Sequence, residues 1–244
     1  MASKGSKPGP RGARALPGVT LRRWDPVRWD PVRWKGDMSG LQWRRLRYSL
    51  YSPFYDVLVG FDRVRRRSVE LASPRPGERI LIPGAGPGRD LEFLPGGVEV
   101  VTGDLAGGMI RQLRRRGGRV EERTGSTIQV MEMDAQATGL ADASFDVVLL
   151  HLVAAVVADG RACLAESTRV LRPGGRLLVF DKFAPEDRPL SLLRRVANPV
   201  SRLLFTSLDR RLGDLVEGLP LTLECREAAA LGGFFELALF RRRG

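Results

Sequence analysis

From Arg79 onward the apolar residues fall into short runs separated by amphipathic stretches. The runs Arg79–Pro83, Val98–Gly103, Thr127–Met133, Phe145–His151 and Arg176–Asp181 have strand length and carry few charges inside them. Between them the spacing turns helical, predicting a helix that begins over Asp90–Leu94 and further helices over Ala106–Arg116 and Arg161–Leu171. Near-continuous apolar strands alternating with helices predict an α/β fold, a doubly wound, Rossmann-like sheet covered on both faces. Two last runs, Leu221–Cys225 and Phe234–Phe240, are joined through Gly232 and Gly233. Parallel neighbours need a crossover of a dozen residues or more, so this short connection predicts an antiparallel final strand.

The pattern upstream is different. Residues 1–20 hold too little apolar content to offset the entropy of ordering and read as a disordered tail. They are followed by "RWDPVRWDPVRW", with Trp24, Trp29 and Trp34 evenly spaced, where Pro26 and Pro31 forbid a continuous helix. Trp43, Leu46 and Leu50 share a face of an expected helix over Leu41–Ser52, ended by Pro53, and helical periodicity resumes to about Ala72. The expected organisation is a basic tail over 1–40, a helical cap over 41–78 and the main domain over 79–244. "MSGLQWRRLRYSL" from Met38 also reads as a sensible domain start.

Charge sharpens this division. Residues 1–79 carry 18 Lys/Arg against 7 acids, whereas residues 80–244 carry 22 against 21. The net charge of +12 therefore belongs to the N-terminal third. A basic, tryptophan-bearing strip suits an anionic membrane surface or RNA. It suits, more readily, a duplicated tail with no folded role, and the basic helices beside it suit a membrane surface or a lid with solvated arginines. The longest apolar run, Val147–Ala158, has 12 residues, short of the roughly 20 a spanning helix needs. Two cysteines, Cys163 and Cys225, make neither a disulfide framework nor a zinc motif, and no metal site is expected. Gly and Pro stand where a signal peptide would place its apolar core, so the expected residence is cytoplasmic, with peripheral membrane contact an option.

In a doubly wound sheet, ligands bind beyond the carboxyl ends of the strands. Four such ends carry candidate groups. "ILIPGAGPGRD" places Gly84, Gly86 and Gly88 where a missing Cβ allows close approach, without the Lys-Ser/Thr of a phosphate loop. Asp104 follows Gly84 by twenty residues, positioned to accept a ribose hydroxyl or to cap the helix after it. Asp134 ends the third strand, suited to an exocyclic amine or to a simple loop role. His151, the only histidine of the chain, ends the fourth. With histidine's ordinary pKa of about 6.5 it is placed to act as a base, or to pack beneath a cofactor.

These four ends in this order, followed by "RVLRPGGRLLVFD", make residues 48–242 resemble the class I S-adenosylmethionine-dependent methyltransferases, with "LRPGGRLL" the most specific element. The resemblance implies a seven-stranded sheet with an antiparallel last strand and S-adenosylmethionine as cofactor. It implies that Gly84, Gly86 and Gly88 line the methionine moiety, that Asp104 holds the ribose, that Asp134 with Ala135 contacts the adenine, that Met109 stands where the family has an apolar residue, and that Ala85 and Leu105 also border the cofactor. "YSPFYDVLVGFDRVRR" and the C-terminal segment look most like bacterial phosphatidylethanolamine N-methyltransferases and quinone-type relatives, implying a small-molecule or lipid-borne acceptor. An RNA acceptor, and a regulatory protein without turnover, are the alternatives. Ile82 departs from the family's usual Asp or Glu at that place and cannot accept a hydrogen bond. Asp90 is the candidate to hold the cofactor's ammonium in its stead, unless it simply favours the helix N-terminus.

Overall fold

The computed structural model describes residues 61–184 and 210–244. The tryptophan repeat, the expected helix over 41–52 and most of the 182–220 connection lie outside them. Seven strands form one sheet: β1 (Arg79–Pro83), β2 (Glu99–Asp104), β3 (Thr127–Glu132), β4 (Phe145–His151), β5 (Leu171–Lys182), β6 (Leu221–Ala230) and β7 (Phe235–Arg242). Their spatial order is β3-β2-β1-β4-β5-β7-β6. The first five are mutually parallel, and β7 runs antiparallel between β5 and β6. The tight β6–β7 connection thus resolves as expected, and strand order reverses between β1 and β4, where this class of sheet opens a ligand crevice.

Both faces are covered. Ile80, Leu81 and Ile82 of β1 are all buried, which requires apolar material above and below. On one side lie α1 (Asp62–Ala72) and α2 (Gly107–Thr124), whose Val69, Leu113 and Val120 pack with Ile80, Ile82, Leu149 and Phe180. On the other lie α3 (Gly160–Val170) and α4 (Leu212–Val216), whose Leu164, Leu212 and Leu215 pack with Leu81, Val148 and Val179. Phe61, just before α1, meets Phe180 edge-on at 5.2 Å and Phe235 at 4.9 Å, tying α1 to the sheet.

Three elements differ from the sequence expectation. Asp90–Leu94 does not begin a full helix: Arg89–Phe93 makes a single 3-10 turn, ended by extended Leu94 before Pro95. The helix expected over Ala106–Arg116 runs on to Thr124, passing through Gly117 and Gly118. Glycine weakens a helix interior, but Gly117 is buried against Ile128, where a Cβ would lie 3.3 Å from the side chain, and burial of Val120 one turn later sustains the helix. β5 begins at Leu171 rather than Arg176, because Leu171 already pairs with Phe145 and the Pro173–Gly175 turn is a bulge in the ladder.

Candidate active site

The loop after β1 is built by its glycines in two different ways. Gly84, Gly86 and Gly88 have φ of 64°, 54° and 79°, a region that costs a side-chain-bearing residue about 1–2 kcal/mol. A Cβ on Gly84 would lie 2.8 Å from Val153, and one on Gly88 would lie 2.3 Å from Leu113. These two glycines let the loop pack. Among the described residues a Cβ on Gly86 would meet nothing within 4 Å, so there the backbone has a side that a ligand can approach. Ala85 is buried and donates its N–H to Gly103 O of β2 at 2.9 Å, docking the loop on the neighbouring strand.

Asp104 ends β2 and joins this loop. Its Oδ2 accepts from Gly86 N at 3.0 Å and its Oδ1 from Ala106 N at 2.9 Å. Burial pushes its carboxyl up, opposed by the backbone donors of Ala106, Gly86 and Leu105. The capping role expected for it is displaced. The residue preceding α2 is Ala106, with no side-chain cap, and Asp104 grips the Ala106 N–H from two residues upstream. Leu105 is half-buried beside it, and Met109 is buried in the first turn of α2.

Asp134 lies just past β3 in a tight turn, bridged to Ala137. Its Oδ1 accepts from Gln136 N at 2.9 Å and from Gln136 Nε2 at 3.0 Å, while Gln136 Oε1 accepts from Asp159 N at 2.8 Å. Ala135 is buried between them. Gln136 was not singled out by the sequence, although an Asp-x-Gln spacing at a strand end is a turn signal that could have found it.

His151 ends β4 and is 5% exposed. Its Nδ1 lies 2.7 Å from Asp90 Oδ1, and the same oxygen pairs with the Arg65 guanidinium of α1. The sequence placed Asp90 at the cofactor's ammonium or at a helix N-terminus. The structure places it in a buried cluster of three ionisable side chains from α1, the 3-10 turn and β4. Burial alone would push the Asp90 carboxyl up, but His151 and Arg65 outweigh it and hold the carboxyl well below the usual range. Among the described residues, His151 Nε2 is buried without a hydrogen-bond partner. Ile82 is 1% exposed and serves the apolar cluster on the same side of the sheet. Immediately after His151, Leu152 takes a φ of 58° and donates to Phe180 O at 2.7 Å, turning the chain so that Val153 reaches Gly84.

A separate cleft, lined by Arg75, Glu78, Asp146, Arg172, Arg176 and Arg241, opens at the opposite ends of the strands. Its Arg172 and Arg176 are paired with Asp146 and Glu78, so it reads as surface ion pairing and lies away from the candidate groups.

Comparison with known proteins decides the family. A family model described as a methyltransferase domain matches residues 81–179, and a demethylmenaquinone methyltransferase from Thermus thermophilus is 36% identical over 61% of this chain and 70% of its own length. The chain belongs to the class I S-adenosylmethionine-dependent methyltransferases. The enzyme is also 26% identical to a phosphatidylethanolamine N-methyltransferase from Cereibacter sphaeroides, over 78% of this chain and 93% of that one. The match to a demethylmenaquinone methyltransferase from Beutenbergia cavernae, 36% identical, spans 57% of this chain and 55% of that protein. Among solved structures, an S-adenosylmethionine-dependent methyltransferase from Methanosarcina mazei shares the fold, with a TM-score of 0.59 at 19% identity over 72% of this chain and 97% of that one. The family implies S-adenosylmethionine as cofactor. No helix among the described residues is long and apolar enough to cross a membrane.

Proposed function

We propose that this enzyme transfers a methyl group from S-adenosylmethionine to a quinone-type or lipid-borne small molecule, with the cofactor lying across the ends of β1, β2 and β3. The observation that carries the site is the Gly86–Asp104 hydrogen bond of 3.0 Å, which fastens a loop with one open backbone side to a carboxylate at the strand tip. These residues fit the cofactor. Gly84, Ala85, Gly86 and Gly88 would shape the wall beside its amino-acid portion, Asp104 and Leu105 its ribose site, and Asp134 and Ala135 its adenine site, with Met109 an apolar contact. Bound there, the cofactor supplies an electrophilic methyl on a sulfonium whose leaving group is neutral.

The protein's part in such a displacement is alignment and exclusion of water. Buried β-strand ends and a loop locked by Leu113 and Val153 supply rigid walls for that purpose. His151 is the proposed base where the acceptor arrives protonated. The acceptor class is supported by the relatives named for demethylmenaquinone and phosphatidylethanolamine. The 18 basic residues of segment 1–79, with tryptophans among them, support contact with an anionic membrane that delivers such acceptors. The test is methyl transfer from labelled S-adenosylmethionine to three probes: a reduced demethylmenaquinone, vesicles containing phosphatidylethanolamine, and total RNA. Label in either of the first two supports the reading. Label in RNA alone, or in none despite cofactor binding, overturns it.

A further inference from the structure

His151 carries an arrangement that methyl transfer in general does not require. Nδ1 faces a carboxylate 2.7 Å away, and Nε2 is buried without a hydrogen-bond partner among the described residues. Buried polar atoms are nearly always paired, so an orphan at a strand end of the candidate site marks a place where a partner arrives. Asp90 and Arg65 form an ion pair beside this ring, and the ring meets Phe180 edge-on at 5.8 Å. Lys182, on β5, adds a further positive charge on this side, its ammonium 6.0 Å from the centre of the Phe235 ring. Asp181, the neighbouring acid, accepts from Ala155 N and Lys182 N. Asp62 pairs with Arg89 at the surface, and the remaining charges of α1, Arg63, Arg66, Arg67 and Glu70, are exposed.

A neutral imidazole next to an ionised carboxylate places its proton on Nδ1, leaving the lone pair on Nε2. We infer that Asp90, held by Arg65, is the positioning residue of His151, fixing the tautomer in which Nε2 accepts a proton from a hydroxyl or ammonium group of the methyl acceptor. The inference rests on the proposed methyl transfer and names its proton path. As the acceptor atom bonds to the methyl carbon, the carbon–sulfur bond breaks with its electrons passing to sulfur, and the acceptor's proton passes to Nε2. Asp90 steadies the imidazolium until that proton leaves to water. The same logic operates in serine hydrolases, where an aspartate orients a histidine without taking its proton.

Because His151 is the only histidine, an untagged chain with nitrogen-15 histidine reports one imidazole by NMR, without any acceptor. The expected result is a wild-type ring protonated at Nδ1 when neutral, and a shift toward the Nε2-protonated tautomer in Asp90→Asn. A wild-type ring protonated at Nε2, or a tautomer unmoved in Asp90→Asn, overturns the inference. In the transfer assay, Asp90→Asn should lower kcat about 10²-fold with cofactor Kd unchanged. A raised Kd at unchanged kcat would return Asp90 to the cofactor's ammonium. An inactive wild type bearing the expected tautomer would sink the proposed function and leave the positioning role of Asp90 standing.

Discussion

The carboxylate at the tip of β2 and the one in the 3-10 turn after β1 are held by opposite means. Asp104 is fastened by backbone amides that lie 18 residues before it and two after it. Asp90 is fastened by side chains, Arg65 lying 25 residues before it and His151 lying 61 after it. Backbone donors cost little to arrange once the strand and loop have formed, and they leave the carboxylate partly exposed for a ligand. Side-chain partners brought from two other elements exclude water and commit the group to the interior. The first arrangement suits binding, and the second suits orienting a neighbour.

The difference can be broken from either end. The largest effect is expected from Asp90→Ala, which strips a buried arginine of its carboxylate and should cost about 3–5 kcal/mol at neutral pH by urea unfolding. The sign of its pH dependence follows from the carboxyl being held low in the native state. Its contribution is fully present above the ordinary aspartate value near 4 and is lost as pH falls toward the lower native one. The stability gap between wild type and variant should therefore close in acid; a gap that stays constant would contradict the ion cluster.

Next comes Gly88→Ala, expected to cost about 3 kcal/mol by thermal unfolding, from overpacking against Leu113 together with the positive φ. Asp104→Asn should act on binding, weakening S-adenosylmethionine about 10-fold to 100-fold by calorimetry, as loss of hydrogen bonds to a charged group implies. Stability should hold or rise, because burial raises the Asp104 carboxyl, and a raised native value penalises the ionised form above it. A large loss of stability in Asp104→Asn would erase the contrast with Asp90. The smallest effect on stability is expected from Gly86→Ala, about 1 kcal/mol for its φ alone, since its Cβ meets open space. Its cofactor affinity should nonetheless fall, and an unchanged Kd would mean that the open side is not the cofactor's.

Much of the sheet was legible because each strand is a short apolar run and each face needs cover: Phe145–His151 was read to the residue. The end of α2 was missed because Gly117 looks like a breaker until Ile128 is seen to need the space. The 3-10 turn at Arg89–Phe93 was read as the start of a helix, since Pro95 acts on it from beyond the segment. At the site, Gly84, Gly86 and Gly88 were legible as a group, but nothing in their spacing separates the two that pack from the one that is open. Arg65 looked like one of several arginines on a basic helix, and only its burial distinguishes it from Arg66 and Arg67.

What the sequence determined by itself is whatever depends on neighbours along the chain: the strand and helix periods, the antiparallel ending forced by a short connection, and the glycine loop followed at fixed spacing by Asp104. What only the tertiary structure decided is whatever depends on which distant side chains share a buried volume. By sequence Asp90 suits a ligand's ammonium or a helix N-terminus, and folding makes it the partner of His151 and Arg65. A charge placed in the interior must find its counter-charges there, and those come from elements whose meeting no local pattern records.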